Sequence, residues 1–165
     1  MCKSKKGFTL IEIMVVCLIL GILSSIALPK YRVATRKSQL AGNLPLMKAL
    51  QEGMVNFYNL NGTLPTELFQ LPLDRSEFDI IDKVSAKHKR SRCVFSLETA
   101  KNAVTMNCNQ GWDITYSVEK TPLGYALGTR TYHILDEDSD LPRHLARSFS
   151  SWEEIEGEEN SYKMP

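Results

Sequence analysis

The sequence holds no G-x-S-x-G, no H-E-x-x-H and no phosphate-binding glycine loop, and its only histidines are His88, His133 and His144. None of the common catalytic constellations can be assembled from that inventory, so an enzyme is not expected. No C-x-x-C or paired histidine occurs among its four cysteines, which leaves no zinc site and no reason to expect a metal or cofactor. Charge of one sign is also missing: 20 basic side chains stand against 19 acidic ones. Near neutrality argues against general nucleic-acid affinity. Internal repeats and low-complexity linkers are absent too, as expected of a single ordinary domain beside whatever else the chain carries.

The other shortage is of charge in residues 8–28, where Glu12 is the only ionisable group of that type in an apolar run. Those 21 residues reach about 31 Å as a helix, close to the ~30 Å hydrocarbon thickness of a bilayer. An acid costs about 2.5 to 3.5 kcal/mol at the centre of such a helix and less near its end, so its presence calls for a function. The plain alternative is a carboxylate that snorkels to the headgroups. Nothing of A-x-A type follows the run, since Ile26-Ala27-Leu28-Pro29 is too bulky for a secretory cleavage site. Basic residues do not decide orientation either, because Lys3, Lys5 and Lys6 on one side face Lys30, Arg32, Arg36 and Lys37 on the other.

Lys5-Lys6-Gly7-Phe8-Thr9-Leu10-Ile11-Glu12-Ile13-Met14-Val15-Val16, followed by Gly21, Ile26-Ala27-Leu28-Pro29 and Tyr31, resembles the N-terminus of type IV pilins and related pseudopilins. The resemblance covers about the first 31 residues. It implies a leader, residues 1–7, cut after Gly7 by a membrane prepilin peptidase that also methylates the new terminus, Phe8. Glu12 would be the acid for methylation or subunit alignment, its carboxylate neutralising the Phe8 amine of a neighbouring copy in low dielectric. Residues 8–28 would be the transmembrane and assembly helix, and residues 29–165 a periplasmic or extracellular pilin domain. The implied partners are further copies in a filament, the peptidase, an inner-membrane assembly platform and the membrane itself. The implied location is the inner membrane before assembly and the cell surface afterwards. A pilus subunit is the expected role, with a type II secretion pseudopilin as the alternative. Cys17 departs from the aliphatic residue usual at its position in the family. Removal of the leader, which holds three of the 20 basic residues, would leave 17 basic against 19 acidic side chains.

About 137 residues follow the apolar run, enough for a modest core. From residue 30 to 60, Leu40, Leu44, Met47, Leu50, Met54 and Phe57 recur at spacings of three or four, an apolar stripe able to lie on a sheet while Lys37, Lys48 and Gln51 face elsewhere. Pro29 and Pro45 predict bends or local melting near Ala27 and near Gly42-Asn43. Asn61-Gly62 is a stop signal. Residues 63–82 read as an irregular connection with short helical turns.

Strand patterning starts at Arg92. Cys93, Phe95 and Leu97 alternate with Val94, Ser96 and Glu98; after Thr99-Ala100-Lys101-Asn102, Val104, Met106 and Cys108 alternate with Ala103, Thr105 and Asn107. A four-residue loop sets Glu98 against Ala103, Leu97 against Val104, Phe95 against Met106, and Cys93 against Cys108. The cysteines form either a disulfide, worth about 3 kcal/mol for a loop of this size, or two buried thiols. A third strand over residues 113–119 presents Ile114, Tyr116 and Val118 on one face, and a fourth covers roughly 125–134. The fold class is α+β: a pilin-like long N-terminal helix, transmembrane in its first half, packed on a small antiparallel sheet over about residues 92–134.

Three surface features remain. Lys83, Lys87, His88, Lys89, Arg90 and Arg92 form a basic run, expected to be a solvated loop, since no aromatics are interleaved to stack on bases. Asp136, Asp138 and Asp140 alternate but lack the turn glycine and distal glutamate of an EF-hand. The polar stretch from residue 143 to 165, with its five close glutamates from Glu153 to Glu159, is expected to be mobile or a variable outer surface, its start pinned by Phe149 and Trp152.

Overall fold

The computed structural model describes residues 7–108, 112–135, 140–158 and 160–165. The chain divides into two compact units at Arg36 and Lys37. The first is helical. It contains the start of α1, the helix that spans Leu10–Asn61, and all of its large apolar side chains from Phe8 to Leu28 are exposed, between 49% and 81%.

The second unit is built from the apolar stripe upward. Leu40, Met47, Leu50 and Met54 are buried at the spacings that the sequence predicts, and Leu44 packs beside them. Three- and four-residue spacing places such residues on one helix face, so burying them requires a sheet to cover them. That sheet has eight strands, all paired antiparallel: β1 Phe78–Ile80, β2 Ser85–His88, β3 Val94–Glu98, β4 Ala103–Asn107, β5 Trp112–Thr121, β6 Gly124–Ile134, β7 Glu153–Glu154 and β8 Ser161–Lys163. Their spatial order is β1-β2-β3-β4-β5-β6-β8-β7. Phe95, Leu97, Val104, Met106, Ile114, Tyr116, Val118 and Tyr132 join the helix residues in a single core.

The predicted hairpin has the predicted register, with Glu98 opposite Ala103, Leu97 opposite Val104 and Phe95 opposite Met106. Cys93 and Cys108 are joined by a disulfide across it. The stop at Asn61-Gly62 also holds. Gly62 takes the left-handed φ of 74° that a side chain resists, and its N–H donates to the Tyr58 carbonyl at 2.7 Å.

Four expectations change. First, α1 is helical through both prolines, with no melting at Gly42-Asn43. Pro45 removes the bond to one carbonyl, that of exposed Ala41, which water can serve. Second, Gln51 does not face outward; it is fully buried. Third, the basic run is not simply a loop, because residues 85–88 are strand β2 and pair with both β1 and β3. Only Ala86 of β2 is buried, so the run has too little apolar alternation to announce a strand. Fourth, the C-terminal stretch is folded: α2 spans Asp140–Arg147, β8 pairs with β6, and Tyr162 and Met164 are buried. Phe149 and Trp152 do pin its start, stacked at 4.3 Å between ring centroids, with Trp152 against Tyr132 at 5.0 Å.

Candidate functional site at the helix N-terminus

Gly7 and Phe8 precede the first helical residue, and Phe8 is 81% exposed. A backbone outside the helix and in the open is what a peptidase must reach. Leu10 opens α1, which makes Thr9 the residue whose side chain can serve the unpaired N–H groups of the first turn. It does so. Glu12 N–H donates to Thr9 Oγ1 at 3.3 Å, while the Glu12 carboxylate accepts from Thr9 N–H at 3.2 Å and from Thr9 Oγ1 at 3.1 Å.

This is a reciprocal cap, with the hydroxyl and the acid each satisfying a donor of the other residue. A negative charge in the first helical turn also faces the positive end of the helix dipole. Glu12 therefore belongs to the local architecture before any neighbour is added, and its carboxylate is held toward the N-terminal side, where Phe8 begins. The T-x-x-E spacing signals such a cap, so Thr9 was a legible site residue that a motif reading by glycine, aromatic and acid passes over.

Below this cap no described residue covers the apolar helix. Cys17 is exposed among these residues and is the free cysteine of the described residues. An uncovered apolar surface of this length needs lipid or other helices around it.

The remaining sequence candidates lie elsewhere. Cys93 and Cys108 stand at one end of the sheet, where Asn43 Nδ2 lies 3.7 Å from Cys93 Sγ. His133 is a strand residue whose ring nitrogens lie 2.8 Å from Thr131 Oγ1 and 2.9 Å from Ser161 Oγ. Across from it, Asp113 is half-buried, and its Oδ1 has no partner among the described residues. Burial pushes the Asp113 carboxyl above its ordinary range, opposed by nearby His133. Asp136 and Asp138 lie outside the described residues, as do the leader lysines.

Residues 2–28 match the family model described as the prokaryotic N-terminal methylation motif. Over 63 residues the chain is 36% identical to a type IV major pilin protein PilE of Neisseria gonorrhoeae, a stretch that covers 38% of each chain. It is 38% identical over 63 residues to the fimbrial protein EcpC of Eikenella corrodens, covering 38% of this chain and 41% of that one. A fimbrial protein of Pseudomonas aeruginosa is 45% identical over 49 residues, 30% of this chain and 32% of the relative. The matched stretch thus spans about two-fifths or less of these curated relatives.

Proposed function

We propose, from the match of residues 2–28 to the prokaryotic N-terminal methylation motif and the partial similarity to type IV pilins, that this chain is a structural subunit of a type IV pilus. In this reading, peptidase cleavage after Gly7 frees the Phe8 amine, which is then methylated. The helix of residues 8–28 holds the subunit in the inner membrane, with the sheet domain on the outer side, until an assembly platform extracts it. It then exchanges lipid for the helices of other copies. Lipid and side chains are equally apolar there, so close packing decides the gain.

The observation that carries this reading is the capped acid at the mouth of an uncovered apolar helix. A Glu12 carboxylate already held beside the Phe8 end can meet the amine of an adjacent copy with little rearrangement. A helix placed out of register would leave that charge unpaired in low dielectric, a penalty of several kcal/mol. Assembly is thereby restricted to one stagger.

The test is to shear surface filaments from native cells and identify the N-terminal residue of this chain by mass spectrometry in sheared and cell-bound fractions. Methylated Phe8 in abundant sheared filaments is the expected result. Processed chain confined to the envelope would place it in a secretion pseudopilus instead, and an intact Met1 leader in both fractions would overturn the pilin reading.

A further inference from the structure

Two turns at one end of the sheet carry opposite charge, and we propose that they join copies of this chain, the acidic turn of one seated in the groove beside the basic turn of the next. The inference rests on the filament reading above and adds a contact between sheet domains to the packing of helices.

The basic turn connects β2 to β3. Its backbone is tied down: Arg92 N–H donates to the His88 carbonyl at 2.8 Å, and His88 N–H to that of Cys93 at 2.8 Å. Ser91 Oγ lies 2.8 Å from His88 Nδ1, and Cys93 is bridged to Cys108 on the next strand. Lys83 pairs with Glu67 and Lys89 with Asp79. Lys87, Arg90 and Arg92 are exposed and have no ion pair among the described residues. The part of the run that neighbouring acids do not neutralise is therefore Lys87 on β2 and Arg90 and Arg92 in the turn.

Beside this turn lies a groove of about 630 Å³, bounded by α1 at Gln39, Asn43 and Pro45 and by His88, Arg90 and Ser91. One acid, Glu77, stands at its edge, 3.9 Å from His88 Nε2. A concave site of mixed polar and apolar lining, with the Arg90 guanidinium at its mouth, fits a segment bearing carboxylates.

The chain carries such a segment. The turn between β7 and β8 is closed by Ile155 N–H to the Ser161 carbonyl and by Glu158 N–H to that of Ile155, with Gly157 at a left-handed φ of 89°. Glu153, Glu154, Glu156 and Glu158 are exposed along it, without an ion pair among the described residues.

Register puts the two turns at the same end of the strands. Val94, Asn107, Asp113, His133 and Ser161 are successive cross-strand partners, so β3 begins and β8 begins on one row. They are four strand steps apart, about 19 Å at ~4.8 Å each, which is beyond the reach of side chains within one copy. Complementary patches at opposite edges cannot satisfy each other in isolation. Between copies they make a head-to-tail contact, the kind that propagates as a ring or helix rather than closing as a symmetric dimer. Such charge contacts set register and encounter rate more than affinity, which suits a filament whose cohesion comes from apolar helices. A nucleic-acid ligand for the basic turn would leave the acidic turn without a role, and the turn has no aromatic side chain of its own on which a base could stack.

The experiment uses the full chain in its native cells, with Arg90→Glu/Arg92→Glu, with Glu154→Lys/Glu156→Lys, and with all four changes together. Sheared filament yield is the readout. Processed, disulfide-bonded chain in the envelope fraction checks that each variant folds. Each double reversal is expected to lower filament yield by about tenfold, and the combined variant to restore it to within about twofold of wild type. Wild-type yield from either double reversal overturns the contact alone, as does a folded combined variant that fails to recover. Unchanged yield with loss of DNA retention by Arg90→Glu/Arg92→Glu filaments would make the turn a polyanion site and likewise overturn it. Absence of the wild-type chain from sheared filaments would overturn the filament reading itself, and this contact with it.

Discussion

Arg130 Nε donates to Gln51 Oε1 at 3.0 Å, while the same Gln51 amide donates through Nε2 to the Ser117 carbonyl at 2.6 Å. A fully buried helix side chain thus closes a defect in the sheet. Between Tyr116 and Val118 the β5–β6 register slips by one residue, leaving Ser117 opposite Gly128 and Thr129. Gln51 Nε2 also reaches the Gly128 carbonyl at 3.4 Å, and a Cβ at Gly128 would lie 2.6 Å from Ser117 Oγ and 3.0 Å from the Ser117 carbonyl oxygen. Arg130 then carries the connection to the chain end by donating to Pro165 O at 3.0 Å.

Gln51→Leu should therefore cost about 2 to 3 kcal/mol, because it leaves the half-buried Ser117 carbonyl opposite the bulge and the Arg130 guanidinium short of partners. Urea unfolding of the full chain in detergent checks this. A midpoint equal to that of wild type would mean that water replaces the amide without penalty.

Replacing Cys93 and Cys108 by serine should lower stability by about 3 kcal/mol, the value expected for freeing a loop of 15 residues. Reduction of the wild-type chain should give a comparable loss. If both treatments leave the unfolding midpoint in place, the hairpin register holds the turn without the bridge.

Glu12→Ala is expected to leave membrane insertion intact and to impair assembly. Thr9→Val should weaken the helix start by about 1 kcal/mol and have a smaller effect on filament yield, since it removes the cap but keeps the acid. Fractionation followed by shearing separates the two effects. Normal filaments from Glu12→Ala would remove the alignment role.

Asp113 yields a pH dependence whose sign follows from burial. Its carboxyl is raised in the folded chain, so the folded state holds a proton that the unfolded state releases. Stability from this group is present below the ordinary carboxylate range and is lost as pH rises toward the higher folded value. Asp113→Asn should raise the melting temperature at pH 7, with the gain shrinking as pH falls toward about 4 and absent below it. A gain that is constant with pH would point to packing rather than ionisation.

Truncation after Ser148 removes β7, β8, Trp152 and buried Tyr162 and Met164. The lost burial alone is worth about 5 kcal/mol, a large part of the stability of a domain this size. The truncated chain should fail to give a cooperative melt; unchanged thermal stability would show that β8 is an accessory to the sheet.

Local chemistry was sufficient for the parts of this protein that the sequence made legible. The apolar run with one acid, the helix stripe from Leu40 to Met54, the stop at Gly62 and the Cys93–Cys108 hairpin each rest on spacing within a short window, where period and turn chemistry act directly. The parts that stayed hidden depend on partners far away in the chain. Gln51 reads as a polar surface residue until the β5–β6 bulge 66 residues later offers it a carbonyl. β2 and β8 have too few apolar residues to declare themselves; they are strands because β3 and β6 present unpaired edges that their backbones can satisfy. The acidic turn and the basic turn are a sequence apart as two charge runs, and only the antiparallel register brings them to the same end of one sheet.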